Sequence, residues 1–516
     1  MKNKSVLNNK FFLYATEFFG GMSVMAVELA ASRFLAPFFS SSQVIWTIII
    51  GTIMIAMAIG NVIGGKSADK NPDPAVLFKR LLIAAIWIAL IPVLGKYVIA
   101  LSAGISMYLP GRFLIWAAFL SCLLLFVYPL LLLGTITPSL SKYVMDDLSN
   151  NGEIIGNLGA LQTIGSIIGT FIPTFFTIPA FGTKMTFLIF SLILAILSLL
   201  YFISAGKKKT LPLAAIIVII LSGIFSNNQP IAFDRVNTLY EGESVYNYLR
   251  VEETEEDIIL STHILFGVQS IKKKNKDFTG MYYDYAYAAP FMSKDKDSML
   301  VLGLGTGTYP SLCLKYFPDM EVDGVEIDRG IIDIAREYFD ISDKINIYEE
   351  DGRAFLKKAG KYDLIMVDAY QDITIPFQMS TVEFFQETKS HLEDGGVLIL
   401  NMNMKSSKEG MINDYIISTV KAVYPYVYTV EAGGNVELFA TSDKEALSRL
   451  DFEIENMETS MDFLAESKKA LERTRKNIVE REKKTRVLTD DKAPVEVLGM
   501  KVLDEIVEGE LDRLKN

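Results

Sequence analysis

Between Ser298 and Met402 the chain reads SMLVLGLGTGTYPS, EVDGVEID, INIYEEDGRAFL and KYDLIMVDAYQD, and then closes on one more apolar run. The first four apolar runs are short, of β type, and each ends on a glycine or a carboxylate, with helix-like segments between them. That alternation predicts a doubly wound parallel sheet with a ligand site at the carboxyl ends of its strands. At 516 residues the chain exceeds a single core, so two or three domains are expected.

Half the residues are hydrophobic, and the excess lies almost entirely before residue 227. That front part carries 15 Lys+Arg against 7 Asp+Glu, whereas the remainder carries 35 against 54. A basic apolar block is therefore joined to an acidic polar one. The acidic block argues against nucleic acid as a partner and suits a small cationic amine. Apolar stretches near 13–38, 44–65, 81–105, 113–140, 155–180, 184–204 and 210–227 predict about seven helices able to cross a lipid bilayer. The first is too long and too rich in internal polar residues for a cleaved signal peptide.

Lys2, Lys4, Lys10, Lys66, Lys70, Lys79, Arg80, Lys142 and Lys207–Lys209 fall on one side of such a bundle; Arg112, Lys184 and Lys96 fall on the other. The first side is expected to be cytoplasmic. Seven full crossings then put the acidic domain outside the cell, unless the seventh segment lies in the interface or re-enters. Glu17, Glu28 and Arg33 interrupt the first apolar helix, either as a pairing that locks the bundle or as a polar pocket. GNVIGGKSAD at 60–69 and GNLGALQTIGSIIG at 156–169 space small residues for close helix packing and loosely evoke transporter helices.

After a linker at 227–233, residues 238–271 alternate apolar and polar residues and predict a small antiparallel sheet. FTGMYYDYAYAAPFM at 278–292 predicts one helix whose four tyrosines, with Asp284, are either core or the floor of a pocket for a cationic chain. Gly303, Gly305 and Gly307 follow the first strand and lead into a helix, so that the turn tightens and its backbone approaches a ligand. Glu326 ends the next strand about 20 residues on, the spacing of a carboxylate that accepts ribose hydroxyls. Asp351–Gly352 at the third strand suits an adenine amino group, and Asp368 at the fourth faces the reacting end of the ligand. The bland alternative is that these carboxylates cap helices. The turn GLGTGT lacks a dinucleotide pattern, and no GKS or GKT follows it, which excludes a phosphate-loop nucleotidase. Cys122 and Cys313, with only His263 and His391, make neither a disulfide framework nor a metal site. Residues 444–486 predict a charged helical insertion, solvated or facing a partner.

The expected architecture is a multi-pass α-helical membrane domain (1–227), a β module with its linker helix (228–292), and an α/β Rossmann-like, class I methyltransferase-like domain (293–516) with a seven-strand sheet. The motifs SVYNYLRVEE and LTDDKAPVE, with MAVELAASRFLAPFFSSSQVIW and IGNVIGGKSAD, resemble the spermidine synthase (polyamine aminopropyltransferase) family in its membrane-fused form. The resemblance spans nearly the whole chain. It implies aminopropyl transfer from decarboxylated S-adenosylmethionine to an amine such as putrescine, with release of methylthioadenosine, and a homodimer.

By that resemblance Glu326 matches the ribose carboxylate, Asp351–Gly352 the adenine pair and Asp368 the proton acceptor. Asn247 stands where the family has a glutamine in its opening strand. Tyr282–Tyr283–Asp284 stand for a Tyr-His-Glu triplet, and Asp372 for a second loop aspartate displaced by one residue. Gln269 joins Tyr282, Tyr283 and Asp372 as a candidate for the amine pocket. Thr306 occupies the turn position where the family has an aspartate that binds the donor's amine, and threonine tolerates intact S-adenosylmethionine. Two alternatives therefore stand beside aminopropyl transfer: a methyltransferase or other S-adenosylmethionine-consuming enzyme, and a transporter or sensor whose soluble domain binds without turnover.

Overall fold

The computed structural model describes residues 10–109, 111–144, 151–233, 235–264, 268–370, 375–403, 405–406 and 408–515. The chain separates into two compact units, Met1–Arg235 and Val236–Asn516.

The first unit is helical: α1 (Lys10–Phe39), α2 (Gln43–Lys70), α3 (Ala75–Ser106), α4 (Phe113–Cys122), α5 (Tyr128–Gly134), α6 (Ile136–Val144), α7 (Asn151–Ile172), α8 (Ile178–Ser204) and α9 (Thr210–Asn228). Among the described residues these make six apolar helical runs long enough to cross a membrane, one of them the 54-residue stretch Asn151–Ser204. At ~1.5 Å per residue that stretch would be roughly 80 Å long, far beyond one crossing. It is broken at Gly182, whose φ of 81° and ψ of 171° lie outside the helical region. Ile168 and Ile172 before the break and Ile189, Phe190 and Ile193 after it pack around Met22 and Ala26 of α1. The chain therefore doubles back at Gly182, and the segments read at 155–180 and 184–204 are two separate legs of the bundle.

The small-residue runs are packing seams. A Cβ on Gly165 would lie 2.1 Å from the carbonyl oxygen of Phe18, and one on Gly169 2.2 Å from that of Met22, so α7 touches the backbone of α1. Gly60 and Gly64 meet Leu131 and Thr135 of the fourth run in the same way. Glu17 is 1% exposed and accepts a hydrogen bond from the Thr137 hydroxyl of α6.

The basic loops gather at one end of this unit: Lys142 pairs with Asp69 at 3.1 Å, Lys207 with Asp73 at 2.8 Å, and Arg80 donates to Ser67 at 2.7 Å. At the other end Lys184 donates to the carbonyls of Ser226 and Gln229, and Lys96 to those of Pro230 and Ala232. α9 begins at the first end and finishes at the second. The seventh segment thus runs the full length of the bundle instead of lying across it or re-entering.

The second unit opens with an antiparallel meander, β1 (Thr238–Glu243), β2 (Tyr248–Glu253), β3 (Asp257–Ser261) and β4 (Ser270–Lys273). The tyrosine-rich segment is two single turns, α10 (Tyr283–Ala286) and α11 (Ala289–Met292), and not the one helix expected over 278–292. Pro290 is the reason: it has no N–H to continue the first turn, and its ring collides with the carbonyl four residues back.

The large sheet comprises β5 (Ser298–Leu302), β6 (Glu321–Glu326), β7 (Ile345–Glu349), β8 (Tyr362–Val367), β9 (Leu392–Met402), β10 (Tyr426–Ala432), β11 (Asn435–Thr441) and a two-residue β12 (Val479–Glu480). Its order is β12-β10-β11-β9-β8-β5-β6-β7, one short edge strand more than the seven expected. The run β9-β8-β5-β6-β7 is parallel, and β11 joins β9 antiparallel. Every residue of β8 is buried, as in a strand covered on both faces. The strand order reverses between β5 and β8, which opens a crevice at their carboxyl ends.

The segment at 444–486 departs from the hairpin, solvated or facing a partner, expected of it. After the helices α12 (Thr308–Tyr316), α13 (Arg329–Tyr338), α14 (Gly352–Leu356), α15 (Val382–Ser390) and α16 (Ile412–Lys421), it forms α17 (Ala446–Asn456) and α18 (Asp462–Asn477), and Leu450, Ile454, Met457 and Leu471 are buried in the core with Tyr287 and Phe291. Leu450 and Ile454 stand four apart on one helix face, so a narrow apolar stripe anchors an otherwise charged surface.

Candidate active site

The crevice is built where the glycine turn meets the end of β8. Gly303, Gly305 and Gly307 all have positive φ, at 85°, 56° and 72°. At Gly303 the conformation and the space both demand glycine, since a Cβ would lie 2.6 Å from Ala369 Cα and from the Asp368 carbonyl oxygen. The backbone N–H of Asp368 also donates to the Leu302 carbonyl at 2.9 Å. The turn and the β8 terminus are thus one contact. α12 (Thr308–Tyr316) and α13 (Arg329–Tyr338) follow β5 and β6. Thr306 is 2% exposed and its hydroxyl lies 3.0 Å from that of Thr308.

Glu326 is 8% exposed and holds the turn from the neighbouring strand. Its Oε2 accepts from the Gly305 N–H at 2.9 Å and its Oε1 from the Asp328 N–H at 3.0 Å. Burial pushes its pKa upward against those two hydrogen bonds. Asp351 caps α14 (Gly352–Leu356), accepting from the Ala354 N–H at 2.8 Å, so the capping alternative holds for this oxygen. Arg353 forks between Glu387 and Asp490 and so ties α14 to the segment LTDDKAPVE.

Asp368 is enclosed. The Tyr282 hydroxyl donates to its Oδ2 at 2.5 Å, and Asn401 Nδ2 donates to its Oδ1 at 2.8 Å. Burial raises the carboxyl, the two hydrogen bonds oppose that rise, the nearby Glu326 adds to it, and the balance is a pKa of about 7. A carboxylate poised near neutrality with its orientation fixed from both sides is suited to accept a proton. The Tyr283 ring lies tilted at 42° against that of Tyr282, with centroids 4.1 Å apart, and its hydroxyl donates to the Gln269 carbonyl at 3.3 Å.

Other candidates sit elsewhere. Asp284 binds the loop before it, accepting from the N–H groups of Thr279 and Gly280 and pairing with Arg473. Tyr285 lies under Arg473, and Tyr287 reaches Ser467 in the core, so two of the four tyrosines face the crevice. Asn247 donates to Asp328 at 2.7 Å, joining the meander to the N-terminus of α13. Asp372 lies outside the described residues. Sequence reasoning missed Asn401, Asn435 and Glu437, which stand on β9 and β11. Their sign was a polar residue inside an apolar strand, in LILNM and NVELFA.

A family profile for the spermine/spermidine synthase domain matches residues 284–448, the stretch that holds the glycine turn, Glu326, Asp368 and Glu437. A probable polyamine aminopropyl transferase of Bifidobacterium longum is 43% identical over 328 residues, covering 60% of this chain and 73% of that protein. A polyamine aminopropyltransferase of Vibrio vulnificus is 29% identical over 237 residues, or 43% of this chain and 78% of that protein. The human eEF1A lysine and N-terminal methyltransferase is 32% identical over 154 residues, or 27% of this chain and 22% of its own length. With nearly three quarters of the Bifidobacterium protein matched at that identity, this chain belongs to the spermidine synthase-type polyamine aminopropyltransferase family.

Proposed function

We propose that the second unit transfers an aminopropyl group from decarboxylated S-adenosylmethionine to an amine. The observation that carries this reading is the setting of Asp368, a half-buried carboxyl held by Tyr282 and Asn401 with a pKa of about 7 at the mouth of the glycine turn. Gly303, Gly305, Thr306 and Gly307 line the donor's path, Glu326 accepts from the ribose, and Asp351–Gly352 face the adenine. Tyr282, Tyr283 and Gln269 line the acceptor side, where the family resemblance also implies a role for Asp372.

The amine nitrogen gives a proton to Asp368 and attacks the aminopropyl carbon bonded to the sulfonium. The new C–N bond forms as the C–S bond breaks, and its electron pair returns to sulfur, which leaves as the neutral thioether methylthioadenosine. Tyr282 and Asn401 keep the carboxyl aimed while it is protonated. The test is methylthioadenosine release by the full-length, detergent-solubilised protein given decarboxylated S-adenosylmethionine and putrescine. Product that disappears in Asp368→Asn supports the reading; S-adenosylhomocysteine formed from intact S-adenosylmethionine, with no methylthioadenosine, overturns it.

The first unit is read as lying in a lipid bilayer, with the basic end cytoplasmic. The chain then leaves the bundle on the opposite side, where residues 226–232 are held by Lys96 and Lys184. A homodimer, as the family resemblance implies, completes the reading.

A further inference from the structure

Glu437 is a buried carboxylate with nothing to hold it. It lies inside β11, is 0% exposed, and is flanked by the buried Val436 and Leu438. Neither of its carboxylate oxygens has a hydrogen-bond partner among the described residues. Buried acids with a purely structural role are normally hydrogen-bonded or paired, because an orphaned one costs stability.

The strand register says where this acid faces. Glu437 stands directly opposite Asn401 of β9, and opposed residues of an antiparallel pair share one face of the sheet. Asn401 is the residue that donates to Asp368, and Asn435, two positions before Glu437, donates to Asn401 at 2.8 Å. The Asp368 charge pushes the Glu437 carboxyl further up on top of burial, and Tyr283, Tyr309 and Tyr370 all feel the charge of Glu437. Each of these hydroxyls donates elsewhere: Tyr283 to the carbonyl of Gln269, Tyr309 to that of Ala286 and Tyr370 to that of Asn401. The result is an uncapped acid beside aromatic rings and a second acid.

We propose that Glu437 is the anionic anchor for a primary ammonium group of the substrates, placed beside Asp368 so that one carboxylate holds a cation while the other takes a proton. An ammonium brings three N–H donors and no acceptor, which complements two bare carboxylate oxygens, and aromatic faces favour the same charge. Without a cation, a buried acid and its half-buried neighbour cannot both ionise at low cost; with one, they can. The inference rests on the aminopropyl-transfer reading, in which both the acceptor amine and the decarboxylated donor carry such a group.

The test compares wild type with Glu437→Gln and Glu437→Met, by calorimetry with putrescine, decarboxylated S-adenosylmethionine and methylthioadenosine in turn. Because the carboxylate makes no hydrogen bond, both variants should fold with a Tm equal to or above that of wild type and bind methylthioadenosine within twofold. Affinity for putrescine, for the decarboxylated donor, or for both should fall roughly 10- to 100-fold. Loss for putrescine alone identifies the acceptor's ammonium, and loss for the donor alone identifies the donor's. Unchanged affinity for both, or failure of both variants to fold, overturns the proposal. A wild-type protein that binds putrescine through Glu437 yet releases no methylthioadenosine would defeat the reaction assigned above and leave the ammonium site standing.

Discussion

The hydroxyl of Tyr282, from the turn that precedes β5, donates to Oδ2 of Asp368 at 2.5 Å, so the base is held by a residue 86 positions earlier in the chain. That bond opposes burial, which lifts the carboxyl to about 7. Transfer needs the ionised form, so kcat/KM should rise about tenfold per pH unit below about 7 and flatten above it. Removing the bond in Tyr282→Phe should move this limb upward by about one to two pH units. A pH profile of methylthioadenosine formation in the two proteins measures both effects.

Asp368 also weighs on stability. Its folded pKa lies above the ordinary carboxylate value of 3.8, so the folded state holds the proton more tightly than the unfolded chain. Its contribution is full below that ordinary value and is lost as pH rises towards about 7. Asp368→Asn should therefore unfold at a higher temperature than wild type at pH 8, with a smaller gap at pH 5. Transfer should drop by roughly 10²- to 10⁴-fold. Thermal melts at the two pH values, beside a turnover assay, check the pair of outcomes.

Gly303→Ala should disrupt the crevice from the backbone outward. The new Cβ would collide with Ala369 and the Asp368 carbonyl at a φ of 85°. A cost of about 1–3 kcal/mol is expected, together with weakened methylthioadenosine binding. Gly360→Ala, where a Cβ meets nothing within 4 Å, should stay within about 0.5 kcal/mol of wild type. Denaturant titration and calorimetry on both variants decide it.

The side of the membrane is open to chemical labelling. Both native cysteines are buried, so single cysteines placed at the exposed Lys208 and Asn228 report their own surroundings. In intact cells a membrane-impermeant maleimide should modify Asn228→Cys and spare Lys208→Cys. The reverse pattern would turn the bundle over.

Much of this could be read in the sequence because it rests on local rules. Positive φ at Gly303, Gly305 and Gly307 is what a tight turn after a buried strand requires, and apolar length alone marks the membrane-scale helices. What stayed hidden depends on partners far along the chain. Asn401 and Glu437 look like stray polar residues until the β9–β11 register sets them on one face near Asp368. Asp284 reads as a pocket acid until Thr279, Gly280 and Arg473 occupy it. The buried stripe of α17 was diluted by charges on its other faces, and Pro290 cut a helix whose composition otherwise favoured it.

Gly182 has the widest reach of any single residue here. Its non-helical backbone folds a 54-residue run back on itself, and on the bilayer reading proposed above this makes the count of passes before the second unit odd. Were that run left unbroken as a single traverse, the parity would change, and every later residue would be delivered to the opposite compartment with its own sequence untouched. On that reading, the compartment that supplies the proposed donor and amine is set by one pair of backbone dihedrals, 186 residues before Asp368 in the chain.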